Sequence, residues 1–222
     1  WTNVKKLSVK DPRIAAPNKK SDVYVLRDEP MKPEEEILQE FHEAQTSKEK
    51  IVLAEKLWEL SADKAELKKT LPDVLSALTL AVIEAKRLTL AERLYGIWIR
   101  NNLARDIEED VDNIEPTSSS VLAEVEDLAE LADEMPVKFQ SRFLDLLERV
   151  YPKDWKEKII AIFRKSNGKI TAECAHFLIN HDLSKDLLNS LNSWLDEQKI
   201  QAPVLLWMIK NRTSRKFEAM LS

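Results

Sequence analysis

The chain is poor in the residues that build sheets, covalent staples and metal centres. Its 222 residues include only 2 Gly, Gly96 and Gly168, and 33% of them are charged. That balance argues against sheets and tight β-turns, which draw on glycine for positive φ. A single Cys, Cys174, excludes a disulfide framework and suits a reducing compartment. The other soft metal ligands are 3 His: His42, His176 and His181. Side chains at positions 174 and 176 diverge on a helix, and positions 176 and 181 do not share a face, so no metal site is expected. No apolar run approaches the roughly 18–20 residues that span a bilayer, and no signal peptide opens the sequence. There is no Gly-rich phosphate loop, no GxSxG elbow, and no Cys–His pair with a third member. These absences point away from an enzyme and from a cofactor. The sequon formed by Asn211, Arg212 and Thr213 is a triplet that arises by chance. Starting at Trp1 rather than Met, the chain reads as a fragment of a longer protein.

What is present is apolar sequence with a helical period. The most apolar stretch, residues 71–103, reads as two consecutive helices. Thr70 with Asp73, and Thr89 with Glu92, match the pattern of a hydroxyl N-cap followed three residues later by a carboxylate. Leu71, Val74, Leu75, Leu78 and Val82 hold the 3.6-residue period, while Leu80 and Ile83 make the opposite face apolar too. Leu94, Ile97 and Trp98 do the same in the second helix. Helices apolar nearly all round are buried among others, so both are expected inside.

Around this pair the chain divides into an arm and two helical halves. Residues 1–32 form the arm: Pro12, Pro17 and Pro30 interrupt any helix, and Val23, Tyr24 and Val25 suit a short extended piece. The first half, 33–115, opens with Pro33 and Glu34, Glu35 and Glu36, placed for a helix N-terminus. It has Ile37, Leu38 and Phe41 as its apolar side. A second helix follows over about 47–60, with Ile51, Ala54, Leu57 and Trp58 on one side, and 64–69 is short and polar. The second apolar helix is expected to fray near Asp112. Residues 115–120, Glu-Pro-Thr-Ser-Ser-Ser, read as a loop and as the boundary between halves. In the second half, 116–222, one helical stripe is expected from Val121 to Met135, ended by Pro136. Further helices are expected from Pro136, from Pro152, and over about 171–180, 184–198 and 203–220. Short linkers between such helices imply antiparallel pairs, so the fold class is all-α, an α-solenoid of HEAT or TPR kind. The strings IRNN at 99–102 and IKNR at 209–212 are the one hint of a repeat.

The net charge of −5 is unevenly spread. Residues 106–134 hold 12 acidic residues and no Lys or Arg, while the arm and residues 210–216 are basic. Clustered carboxylates at 106–115 can chelate Mg²⁺, but nothing beside them supplies a base, a nucleophile or a phosphate anchor, and a solvated helix end accounts for them. Most of the 6 Trp sit on apolar stripes and belong to the core. Trp1 is the exception, because it precedes Lys5, Lys6, Lys10 and Arg13 in an arm too polar to fold alone. Lys19, Lys20, Tyr24 and Arg27 continue that character. Aromatic and basic residues on an extended segment can bind nucleic acid or dock on an acidic protein surface, and a disordered tail is the alternative. With Lys210, Arg212, Arg215 and Lys216 they are the candidate partner-binding residues.

The strings WTNVKKL at 1–7, KDPRI at 10–14, PNKK at 17–20 and YVLR at 24–27 resemble a segment of unusually long Gre-type bacterial transcription elongation factors. In these a large helical extension precedes the Gre module. The helical body and LWMIKNR at 206–212 are similar in style. Gre factors bind RNA polymerase through a small C-terminal domain and insert a helical hairpin whose acidic tip helps hold the Mg²⁺ that cleaves backtracked RNA. Neither part is recognisable here, and the acidic run at 106–115 does not match the tip. The resemblance therefore carries over no catalytic residue and implies a cytoplasmic accessory region, with the cleavage-stimulating parts beyond Ser222. It implies RNA polymerase or associated transcription machinery as partner. The alternatives are a HEAT-like scaffold unrelated to transcription, and a nucleic-acid-binding module with one continuous basic face.

Overall fold

The computed structural model describes residues 13–15, 25–26, 31–84, 88–165, 170–181, 184–197 and 199–211. Among these the architecture is all-α apart from one two-residue pairing in the arm. There β1 (Ile14–Ala15) runs antiparallel to β2 (Val25–Leu26), with Ile14 opposite Leu26 and Ala15 opposite Val25. Val23 and Tyr24 lie outside the described residues.

The helices are α1 (Pro33–Glu43), α2 (Ser47–Ser61), α3 (Ala65–Lys68), α4 (Leu71–Ile83), α5 (Leu90–Asp106) and α6 (Ser118–Ala123). They continue with α7 (Leu128–Glu134), α8 (Val137–Val150), α9 (Trp155–Lys165), α10 (Thr171–Asn180), α11 (Ser184–Asp196) and α12 (Ala202–Asn211). The chain divides into two compact units. One comprises residues 1–84 with 102–109, the other 85–101 with 110–222, so α5 contributes to both.

In the first unit α1 packs on α2, and α2 packs on α3 and α4. Local chemistry sets the boundaries. Pro33 occupies the first turn of α1, where a missing N–H costs nothing. Thr46 Oγ1 accepts from Glu49 N at 3.2 Å, and Glu49 Oε2 accepts from Thr46 N at 3.1 Å, a reciprocal cap that starts α2. The interior is filled by Phe41, Ile51, Leu57, Leu71, Val74 and Leu78.

In the second unit α7 and α8 pack on α9, α8 and α9 pack on α10, and α10 packs on α11 and α12. Aromatic side chains fill the seams. Tyr95 and Trp98 meet Phe139 at ring separations of 5.5 and 5.2 Å, and Phe163 meets Trp207 at 5.6 Å. Trp155 lies edge-on to Phe177 at 5.8 Å. Offset and edge-on pairs of this kind add to the gain from burying the rings.

Five expectations need correction. Thr70 does not cap α4: its hydroxyl donates back to Leu67 O at 2.8 Å, and its backbone is already helical where α3 turns into α4. The Thr89–Glu92 cap does form, with bonds of 3.0 and 3.2 Å. The helix α4 is not enclosed, because Leu80 is 59% and Ile83 49% exposed, whereas Leu94, Ile97 and Ile99 of α5 are fully buried. Residues 118–120 are helix rather than loop. Thr117 Oγ1 accepts from Ser120 N at 3.1 Å, so hydroxyls read as loop markers act as a cap. The single stripe from Val121 to Met135 is two helices. Asp127 accepts from Ala129 N at 2.8 Å and starts α7 afresh, while Arg93 clamps Glu124 with bonds of 2.7 and 3.1 Å. The helix expected to fray near Asp112 ends at Asp106, and Glu108 follows at φ 60.

Candidate interaction surface

Of the candidate partner-binding residues, the structure describes Arg13 and Lys210, and both are exposed. Trp1, Lys5, Lys6, Lys10, Lys19, Lys20, Tyr24, Arg27, Arg212, Arg215 and Lys216 lie outside the described residues. Arg13 leads into β1, whose partner strand exposes Leu26 at 68%.

Lys210 stands at the end of α12, and this helix carries the feature that the sequence left unread. Val204 and Trp207 point inward, and Trp207 meets Phe163 of α9. Leu205, Leu206 and Ile209 point outward at 40%, 55% and 51% exposure. Their spacing places them on one face, opposite Val204 and Trp207. Three adjoining large apolar side chains beside an exposed lysine have the make-up of an interface centre with a polar rim.

A second surface of opposite character lies between the start of α5, the 124–127 turn and α7. Leu90, Val125 and Leu131 form the floor of a groove of about 330 Å³, and Glu124, Glu126, Asp127, Glu130 and Glu134 surround it. Two of these carboxylates are engaged. Arg93 holds Glu124 below the ordinary carboxylate range through their hydrogen bonds. The Ala129 amide and then Lys165, at 3.2 Å, do the same for Asp127. The side chains of Glu126, Glu130 and Glu134 are exposed and have no hydrogen bond or ion pair among the described residues.

The remaining candidates for chemistry are packed or dispersed. Cys174 is fully buried in α10, and burial, reinforced by Asp133 and Glu173, pushes its thiol pKa far up, away from reactivity. His176 is exposed. His181 stacks on Phe177 at 4.2 Å and its Nδ1–H donates to Phe177 O at 2.9 Å, capping α10. No group of three or more His, Cys, Asp or Glu positioned for a metal ion occurs among the described residues. The acidic run after α5 is solvent-exposed at Glu108, Glu109, Asp110, Asp112 and Glu115. Asp106 accepts the Trp58 indole N–H at 2.7 Å, a structural bond between α5 and α2.

One polar group of the core was invisible to periodicity. Arg100 of α5 is 1% exposed, and its Nε–H donates to Asn101 Oδ1 at 3.2 Å while Nη1 has no hydrogen-bond partner among the described residues. Burial lowers its pKa, and the charges of Asp112 and Glu115 oppose that shift. An arginine inside an otherwise apolar stretch, two residues after Trp98, was the signal available.

The described residues form an all-α array of short helices, several of them capped, with exposed apolar and charged faces. The chain belongs to the GreA-associated C-terminal domain family, which it matches over residues 33–222, beginning at the first residue of α1. No curated protein and no solved structure matches the chain. No helix among the described residues is long and apolar enough to cross a membrane.

Proposed function

We propose that this chain is a non-catalytic helical interaction module of a Gre-type transcription elongation factor. It works in the cytoplasm by contact with RNA polymerase or the machinery around it. The observation that carries this reading is the match to a GreA-associated domain over residues 33–222. The outward face of α12 supports it: Leu205, Leu206 and Ile209 beside Lys210 offer an apolar centre and a basic edge. The basic and aromatic residues of the arm, Trp1 to Arg27, add contacts that suit an acidic protein surface.

The test is retention of bacterial RNA polymerase by the immobilised chain, beside a version lacking residues 1–30, at low and high salt and with nuclease added. Retention that survives nuclease and weakens without the arm is the expected result. Retention abolished by nuclease moves the reading to a nucleic-acid module, whose affinity falls steeply with salt. No retention under any condition leaves a helical scaffold unconnected with transcription.

A further inference from the structure

The acidic groove of the second unit carries charge without a counterpart. Glu126, Glu130 and Glu134 are exposed and have no hydrogen bond or ion pair among the described residues, while Arg93 and Lys165 already serve Glu124 and Asp127. Leu90 and Val125, both partly exposed, give the groove an apolar floor. The family match runs on through residues 212–222, which follow α12, whereas the basic arm precedes the match. Residues 212–222, RTSRKFEAMLS, lie outside the described residues, and their sequence carries Arg212, Arg215 and Lys216 against one carboxylate, Glu218. Phe217 adds a large apolar side chain next to these cations. Arg212 and Lys216 are four residues apart, the same spacing as Glu130 and Glu134 on α7, where it keeps both carboxylates on one side of the helix.

The segment is also long enough. Trp207, one turn before the end of α12, packs on Phe163 of α9, and Lys165, the last residue of α9, reaches Asp127 at the groove edge at 3.2 Å. These two contacts leave α9 on different sides, so the thickness of α9 separates α12 from the groove. Packed helices lie about 8–10 Å apart, which makes the way round the end of α9 roughly 20–25 Å. A chain of the length of 212–222 spans up to about 35 Å when extended.

From the unmatched charge of the groove and the composition and length of this segment we infer that the groove is a docking site whose occupant is residues 212–222 of the same chain. Arg212, Arg215 and Lys216 face Glu126, Glu130 and Glu134, and Phe217 lies over Leu90 and Val125. The cation–carboxylate contacts fix where the segment lies, and the covered ring adds the gain from removing apolar surface from water. A basic partner has to displace the segment before it can use the groove, so the contact restrains access to the acidic surface. This inference is independent of the transcription reading, and its failure leaves that reading where it stands.

Carbodiimide cross-linking of the unaltered whole chain tests it, because this reagent joins an amine to a carboxylate without a spacer. The chain is treated at low concentration, the single-chain band is isolated, and joined peptides are identified by mass spectrometry. The expected result is an amide between Lys216 Nζ and Glu126, Glu130 or Glu134. Its yield falls several-fold at high salt, which screens exposed charges. It falls likewise in Arg212→Glu with Arg215→Glu, which leaves Lys216 and every groove carboxylate in place. Phe217→Ser lowers it too, with every charge unchanged, and circular dichroism checks that both variants keep their helices. Absence of the link from the single-chain band overturns the inference. So does Lys216 joined in equal yield to carboxylates dispersed over the chain, the pattern of a segment held nowhere. A link found only in a two-chain band also overturns it, since the groove would then take a second molecule.

Discussion

The first and last helices described, α1 and α12, both turn a face to solvent, and the two faces differ in kind. Outside α1 are Glu35, Glu36, Gln39, Glu40 and Glu43, and inside is Phe41, fully buried. Inside α12 are Val204 and Trp207, and outside are Leu205, Leu206 and Ile209. Each within its own unit, α1 has a polar outer face and α12 an apolar one.

The largest expected effect lies on the inner side of that comparison. Phe41→Ala should cost about 3–5 kcal/mol in urea unfolding, through lost burial and the cavity left between α1 and α2. Thr46→Ala comes next, at about 1 kcal/mol, because it removes the hydroxyl that caps α2 beside the end of α1. The same cap carries a pH signature. The Thr46 hydroxyl and then its backbone N–H hold the Glu49 carboxyl below the ordinary carboxylate range. A lowered folded value means that the stabilisation is complete above the unfolded pKa of about 4.3 and is lost as pH falls through the folded value. Unfolding measured from neutral pH down to about pH 3 should show the advantage over Glu49→Gln disappearing across that window. The smallest effect belongs to the outer face of α12. Leu206→Ser and Ile209→Ser should each change unfolding by about 0.5 kcal/mol or less. A cost near that of Phe41→Ala would make the face internal and erase the contrast between the two ends.

The structure and the sequence agree where a local device decides the outcome. Pro33 with its three glutamates, the Thr89–Glu92 cap and the Pro136 break between α7 and α8 could be read from a few neighbouring residues, and each is where it was expected. They disagree where two local devices compete. Thr70 has the residues for a cap, but its hydroxyl finds the Leu67 carbonyl first, because α3 delivers that carbonyl within reach. Between Val121 and Met135 the apolar stripe continues unbroken in the sequence. The Asp127 cap and the Arg93–Glu124 clamp, set by a residue 31 positions away, divide it. The candidate surface was less legible than the fold. Charge singles out Lys210, whereas no local spacing tells which apolar side chains of its helix stay uncovered.

By itself the sequence determined that this protein is helical, where most helices begin, and that its acidic and basic residues are segregated. Those are consequences of short-range spacing, glycine scarcity and capping chemistry, which act over a turn or two of chain. The tertiary structure alone decided which apolar faces are covered. The helix α4 is the more apolar of the central pair, yet its Leu80 and Ile83 meet solvent while Ile97 and Ile99 of α5 do not. Only packing brought Leu90, Val125 and Leu131 together as one groove, and only packing enclosed Arg100. Periodicity records how many faces of a helix are apolar. Which of them find a neighbour depends on contacts between residues far apart in the chain.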